Sequence, residues 1–233
     1  MIEPKNCFVT YNCTHRSDDG HNCNGVEINT NFCPRLFKIN KLYDLALLTD
    51  YQKKRISKKI PKEDKAIYSE LNDYENNIVN NVFNGNSLYI HSHKCGNGKT
   101  MWSIRLLQTY LCSIWSNSDI CCRALFINVP KYFAELKSNI SDKSDYIEYI
   151  NANVRKADLV VWDDIGSKMG TEFEIENLLN IINDRINLNK CNIYTSNMTP
   201  DELRKRIGDR LCSRVVNVST VYEFKSSDMR GVK

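Results

Sequence analysis

From Ser87 onwards, short runs of consecutive apolar residues alternate with longer stretches in which apolar positions recur every three or four residues. Leu88-Tyr89-Ile90, Cys122 to Val129, Leu159-Val160-Val161-Trp162, Cys191 to Ser196 and Val221 to Phe224 read as strands. Helices are expected from about Lys99 to Trp115, from Pro130, over 143–155, from Thr171 to about Leu188 and from Thr199 to about Val215. Thr171 with Glu174, and Thr199 with Glu202, form capping boxes. Pro200 adds a proline at the first helical position of the second. Strands that are apolar on both faces and separated by helices predict an α/β fold, with a parallel sheet covered on both sides.

The front of the chain has a different pattern. Ile67, Leu71, Tyr74, Ile78 and Val82 share one helical face over 62–83, and Gly85 closes that helix. Residues 36–60 read as a basic helical linker ending before Pro61. Residues 1–34 are rich in Asn, Asp, Thr and Cys and hold too few aliphatic residues to bury a core of their own. The expected division is therefore 1–60, a Cys-rich region with its linker, and 61–233, the α/β domain.

Composition narrows the class. A chain of 233 residues accommodates one such domain and a small appendage. The 42% hydrophobic content supports a core, and the net charge of +4 permits a polyanionic partner without demanding one. The N-terminus lacks a basic stretch followed by an apolar one, and no apolar run reaches the ~18 residues of a membrane span. No membrane association is expected, and the chain reads as cytoplasmic. Ten cysteines in a chain this long and Lys-rich suggest metal rather than disulfides. Cys7, Cys13, Cys23 and Cys33 are the candidate zinc ligands, with His15 and His21 as alternates. Zinc takes four N or S ligands. The spacing Cys-x5-Cys-x9-Cys-x9-Cys is not the tight Cys-x2-Cys knuckle, so which four of the six bind stays open. Metal would explain how so polar a segment stays folded; the other reading is a tail of free thiols.

His93 to Thr100, HKCGNGKT, lies between a strand and a helix. It fits the phosphate-loop pattern G-x-x-x-x-G-K-[ST] at all but its first position, where His93 stands for glycine. Cys95, Gly96, Asn97 and Gly98 would turn backbone N–H groups toward phosphate, and the following helix N-terminus would add its partial positive charge. Lys99 would meet the β- and γ-phosphates, and Thr100 would ligate Mg²⁺. Sixty-four residues after Lys99, the strand LVVW ends in Asp163-Asp164. Asp163 would hold Mg²⁺ and Asp164 would orient or deprotonate the attacking water. Each motif supplies the context the other needs, and together they predict a Mg-ATP-dependent ATPase.

Over roughly residues 60–230 the chain resembles the bacterial and phage helicase loaders of the DnaC/DnaI type within the AAA+ ATPases. The resemblance rests on YIHSHKCGNGKT, LVVWDDIG, IYTSN, RIGDRLCSRV and EFKSSDMRG, in that order. It implies an AAA+ fold without a separate helical lid and a cysteine-rich, zinc-binding N-terminal part that docks on a hexameric replicative helicase. It also implies that the protein grips single-stranded DNA and self-assembles. Asn197 would be the sensor 1 residue, Arg210 the arginine finger, with Arg214 as second choice, and Arg230 sensor 2. Two departures matter: His93 in the loop, and Asp164 where a glutamate is expected, which predicts slow hydrolysis without partners. From other classes, a transposition ATPase resembling IstB and an ATP-binding adaptor with little hydrolysis share the same core motifs.

Overall fold

The computed structural model describes residues 34–54 and 61–228. Five parallel strands form one sheet: β1 Ser87–His91, β2 Ala124–Asn128, β3 Leu159–Asp163, β4 Cys191–Ser196 and β5 Ser219–Glu223. Their spatial order is β2-β3-β4-β1-β5, with β1 between β4 and β5. The helices are α1 Pro34–Leu45, α2 Asp50–Lys53, α3 Lys65–Asn76, α4 Ile78–Phe83, α5 Lys99–Ile114, α6 Val129–Ser138, α7 Asp145–Asn153, α8 Glu172–Asn187, α9 Pro200–Ile207 and α10 Asp209–Val216.

Successive residues of a strand face opposite sides of a sheet, and here both sides are dry. Leu88, Ile90, Phe126, Val161 and Ile193 join α1, α3, α4 and α5 in one core. Tyr89, Leu125, Ile127, Trp162 and Tyr194 join α6 to α10 in the other. This is why the centres of β1 to β4 read as short apolar runs, while the edge strand β5 is partly exposed. The expected strands and both capping boxes are present, with Thr171 and Thr199 each accepting the N–H of the glutamate three residues on.

Three expectations change. The helix over 62–83 is interrupted at Asn77, whose backbone (φ −109°, ψ 24°) leaves helical geometry. Both the Asn77 side-chain amide (3.1 Å) and its backbone N–H (3.2 Å) donate to the Asp73 carbonyl, a local side-chain bond typical of asparagine at a helix end. The basic helix from Thr199 is split by Gly208, at φ 84°, into α9 and α10. The stretch expected as a linker contributes to the core: Leu36, Ile39, Leu42, Tyr43 and Ala46 are buried with the sheet's first face. Phe126 N–H of β2 donates to the Ala46 carbonyl at 2.9 Å, which occupies an otherwise open sheet edge.

Candidate nucleotide-binding site

In an open parallel sheet the carboxyl ends of the strands line the ligand crevice. β1 ends in the phosphate loop, β3 in Asp163, and β4 in Ser196, followed by Asn197. The loop bends through Gly96 (φ 74°) and Gly98 (φ 97°), conformations that side-chain-bearing residues rarely adopt. Inside it, the buried Asn97 amide donates to Ser92 Oγ at 2.7 Å. Lys99 Nζ donates to the Lys94 carbonyl at 2.9 Å and to Asn97 Oδ1 at 3.1 Å. The ammonium therefore sits within the loop, against neutral oxygens.

A strap braces this loop from outside. Lys94 Nζ donates to the Lys225 carbonyl (2.9 Å), and the Asn97 amide reaches the Ser226 carbonyl (3.5 Å). The N–H groups of Lys225 and Ser226 donate in turn to the buried Asp64 carboxylate, at 2.7 and 3.1 Å.

The acidic pair meets the loop. Thr100 Oγ1 and Thr195 Oγ1 each donate to Asp163 Oδ1 at 2.8 Å, and the Asn128 amide approaches Oδ2 at 3.4 Å. Asp164 takes a left-handed backbone, φ 63°. Its N–H donates to Thr195 Oγ1 (2.9 Å), and its Oδ1 accepts the Asn197 amide (3.1 Å). Burial, and then the neighbouring Asp163 charge, raise the Asp164 pKa above the usual carboxylate value. Cys95 Sγ lies 4.0 Å from Asn197 Oδ1, so the loop and the end of β4 also touch. A hydroxyl beside a carboxylate is a hard-oxygen set that suits Mg²⁺. An ammonium in a loop at a helix N-terminus suits phosphate. The residues present fit Mg-ATP.

Not every expected residue is in this cluster. Arg210 and Arg214 are exposed on α10 and line a separate cleft of about 410 Å³ with Leu179, Asn180, Asn183, Asp209 and Ser213. Arg206, four residues before Arg210, lies on α9, whereas Arg210 and Arg214 lie on α10, so these three do not share one continuous helix face. His93, more than half exposed, faces Glu202 of α9 at 3.5 Å. Cys7, Cys13, Cys23, Cys33, His15, His21 and Arg230 lie outside the described residues. Among the described residues, no group of His, Cys, Asp and Glu is arranged to hold a metal, and no helix is long and apolar enough to cross a membrane. Asp64, Asn128, Thr195 and Ser196 went unforeseen. For Thr195 the signal was available, a hydroxyl at the carboxyl end of a buried strand two residues before Asn197. For Asp64 there was none.

The sequence profile of the bacterial DnaA ATPase domain matches residues 53–220, more than two thirds of the chain. Among solved structures, the DnaC helicase loader is similar with a TM-score of 0.59 at 18% identity, over 79% of this chain and 99% of that one. DnaI gives 0.58 at 19%, over 75% and 88%. AMPPCP-bound DnaA from Aquifex aeolicus gives 0.56 at 19%, over 79% of this chain and 53% of that one. At these identities the likeness establishes a shared α/β fold, and the family match makes it the fold of the AAA+ type. No curated protein matches the chain in sequence.

Proposed function

Since this chain belongs to the family of the bacterial DnaA ATPase domain, we propose that it is an ATP-dependent loader, placing a hexameric replicative helicase on single-stranded DNA as replication begins. The observation that carries the ATPase part is the convergence of two motifs far apart in sequence. Thr100 of the loop donates to Asp163, while Asp164 accepts from Asn197. Lys99 neutralises the β- and γ-phosphates, and Thr100 and Asp163 hold Mg²⁺. Asp164 orients or deprotonates the attacking water, and Asn197 positions that water beside the γ-phosphate. Bound Mg²⁺ would supply the charge that offsets the leaving phosphate.

The remaining roles extend from that centre. Arg210 reaches the nucleotide of a neighbouring copy, with Arg214 as the second choice, and Arg230 approaches the nucleotide from its own chain. Zinc held by four of Cys7, Cys13, Cys23, Cys33, His15 and His21 orders the front of the chain, which docks on the helicase. Single-strand binding is mostly electrostatic and weakens with salt. The loader reading is supported by a fold that spans nearly the whole of the DnaC helicase loader but only about half of the DnaA chain.

The test is native mass spectrometry of the full chain with the replicative helicase of its source cell and Mg-ATP. A discrete complex of fixed stoichiometry is expected. No complex, with nucleotide still bound to the chain, would overturn the loader reading and leave a transposition-type ATPase or an adaptor. A metal assay on protein purified without chelator should find one zinc per chain; none would remove the zinc site.

A further inference from the structure

Three consecutive residues at the end of β4 grip three consecutive residues at the end of β3. Thr195 Oγ1 donates to Asp163 Oδ1 (2.8 Å) and accepts the Asp164 N–H (2.9 Å). Ser196 Oγ donates to the Ile165 carbonyl (2.7 Å), and the Ile165 N–H donates to the Thr195 carbonyl (2.9 Å). The Asn197 amide donates to Asp164 Oδ1 (3.1 Å). Thr195 is 2% exposed, so water has little access to replace its hydroxyl.

Among the described residues, the Thr195 side chain hydrogen-bonds to both acids. It does so with one oxygen that donates and accepts at once, which a hydroxyl can do and a methyl cannot. The donated bond fixes the Asp163 carboxylate. Without it, the described residues leave that carboxylate one strong bond, from Thr100, and a 3.4 Å approach from Asn128, which is long for an N–H···O bond. The accepted bond holds the Asp164 backbone in its left-handed turn. A residue other than glycine keeps such a conformation only where its surroundings over-determine it.

We propose that Thr195 is a positioning residue of the Mg²⁺ site, setting the cation-holding Asp163 and the water-facing Asp164 together through a single hydroxyl. The proposal rests on the Mg-ATP reading of the site and adds a residue to it. Thr195 acts through Asp163 and meets neither nucleotide nor cation itself. Its loss therefore weakens the response to Mg²⁺ while leaving the phosphate loop's metal-free grip on ATP intact.

The experiment measures binding of a fluorescent ATP analogue by the full chain, titrated with Mg²⁺ and repeated in chelator, for wild type, Thr195→Val and Thr195→Ser. Thr195→Val should move the Mg²⁺ midpoint up about tenfold, the worth of one hydrogen bond to a charged group. Its metal-free binding should stay at the wild-type level. Thr195→Ser keeps the hydroxyl but frees its rotation, so its midpoint should rise only about two- to threefold, a fraction of that bond. An unshifted midpoint in Thr195→Val overturns the proposal, as does an equal loss of binding with and without Mg²⁺, which would mark general structural damage. If the valine variant does not fold, the serine variant decides: an unshifted midpoint refutes, and a small rise with intact metal-free binding supports. Wild-type protein that binds no nucleotide at any Mg²⁺ concentration would instead sink the ATPase reading beneath the proposal.

Discussion

The carboxyl edge of the sheet and the α9–α10 arm both carry charge, and the fold treats them in opposite ways. At the edge, Lys99, Asp163 and Asn97 are buried, and each finds its hydrogen-bond partners within the same chain. On α10, Arg210 and Arg214 stand in solvent beside an open cleft and form no ion pair among the described residues. A buried polar group must find its partners within the fold, or it costs more than it contributes. An exposed arginine costs little in water and keeps its planar fork for an incoming anion. The phosphate loop and the carboxylates thus bond one another within one chain, whereas the arginines proposed to act between copies face outward.

The sharpest way to break this contrast is Arg210→Ala. Nucleotide affinity of the isolated chain should not change. In assembled complexes the turnover should fall about 10³-fold, the lower end for an arginine finger supplied in trans. Single-turnover hydrolysis with and without helicase would read both arms. Weakened binding in the isolated chain would mean that the arginine serves its own nucleotide, and a normal assembled rate would pass the role to Arg214.

Asp164→Asn probes the other side. Turnover should drop by about 10²- to 10⁴-fold, as for loss of a general base, with Mg-ATP binding retained. Asparagine tolerates the left-handed backbone at least as well as aspartate. The raised Asp164 pKa also makes a stability prediction. The folded chain holds that proton more tightly than the unfolded chain, so stability declines as pH rises from the ordinary carboxylate value through the raised one. The amide escapes this cost. The variant should therefore melt above wild type at neutral pH, and the gap should close once Asp164 is protonated in both states. Thermal scans from acid to neutral pH would show it. Lys99→Ala should weaken Mg-ATP binding at least tenfold, or about the worth of a hydrogen bond to a charged group. Calorimetry showing wild-type affinity would remove the phosphate loop from the site.

Legibility followed burial. The strands were readable because every residue of β1, β3 and β4 is buried, so their centres are consecutive apolar residues, Leu88 to Ile90, Leu159 to Trp162 and Ile193-Tyr194. Lys99, Thr100, Asp163 and Asn197 were readable because local motifs carry them. Asn128 and Asp64 act through the tertiary packing of β2, β3 and the strap after β5, which no spacing encodes; Thr195 was signalled only by its place two residues before Asn197. The division of one basic helix into α9 and α10 turned on Gly208, a glycine whose positive φ stops a helix. The core helix α1 reads as linker because Lys38 and Lys41 on its outer side make the stretch look basic, although Leu36, Ile39, Leu42 and Tyr43 share its buried face.

The two regions touch at the start of α9, and the smallest effects test whether that contact matters. Glu202 accepts from Thr199 N–H (2.9 Å) and Oγ1 (3.0 Å) to complete a capping box, and it also faces His93 of the phosphate loop. The two jobs separate by substitution. Thr199→Ala removes a cap worth about 1 kcal/mol and should lower the denaturation midpoint without altering Mg-ATP affinity. Glu202→Gln keeps a capping box, which glutamine also completes, and removes only the charge facing His93. Both partners of that pair are about half exposed, at 58% and 47%, so water screens it, and affinity should change less than about twofold. A larger loss in Glu202→Gln, with stability unchanged, would mean that α9 carries information from the phosphate loop toward Arg210. The contrast between a finished edge and a waiting arm would then become a coupling between them.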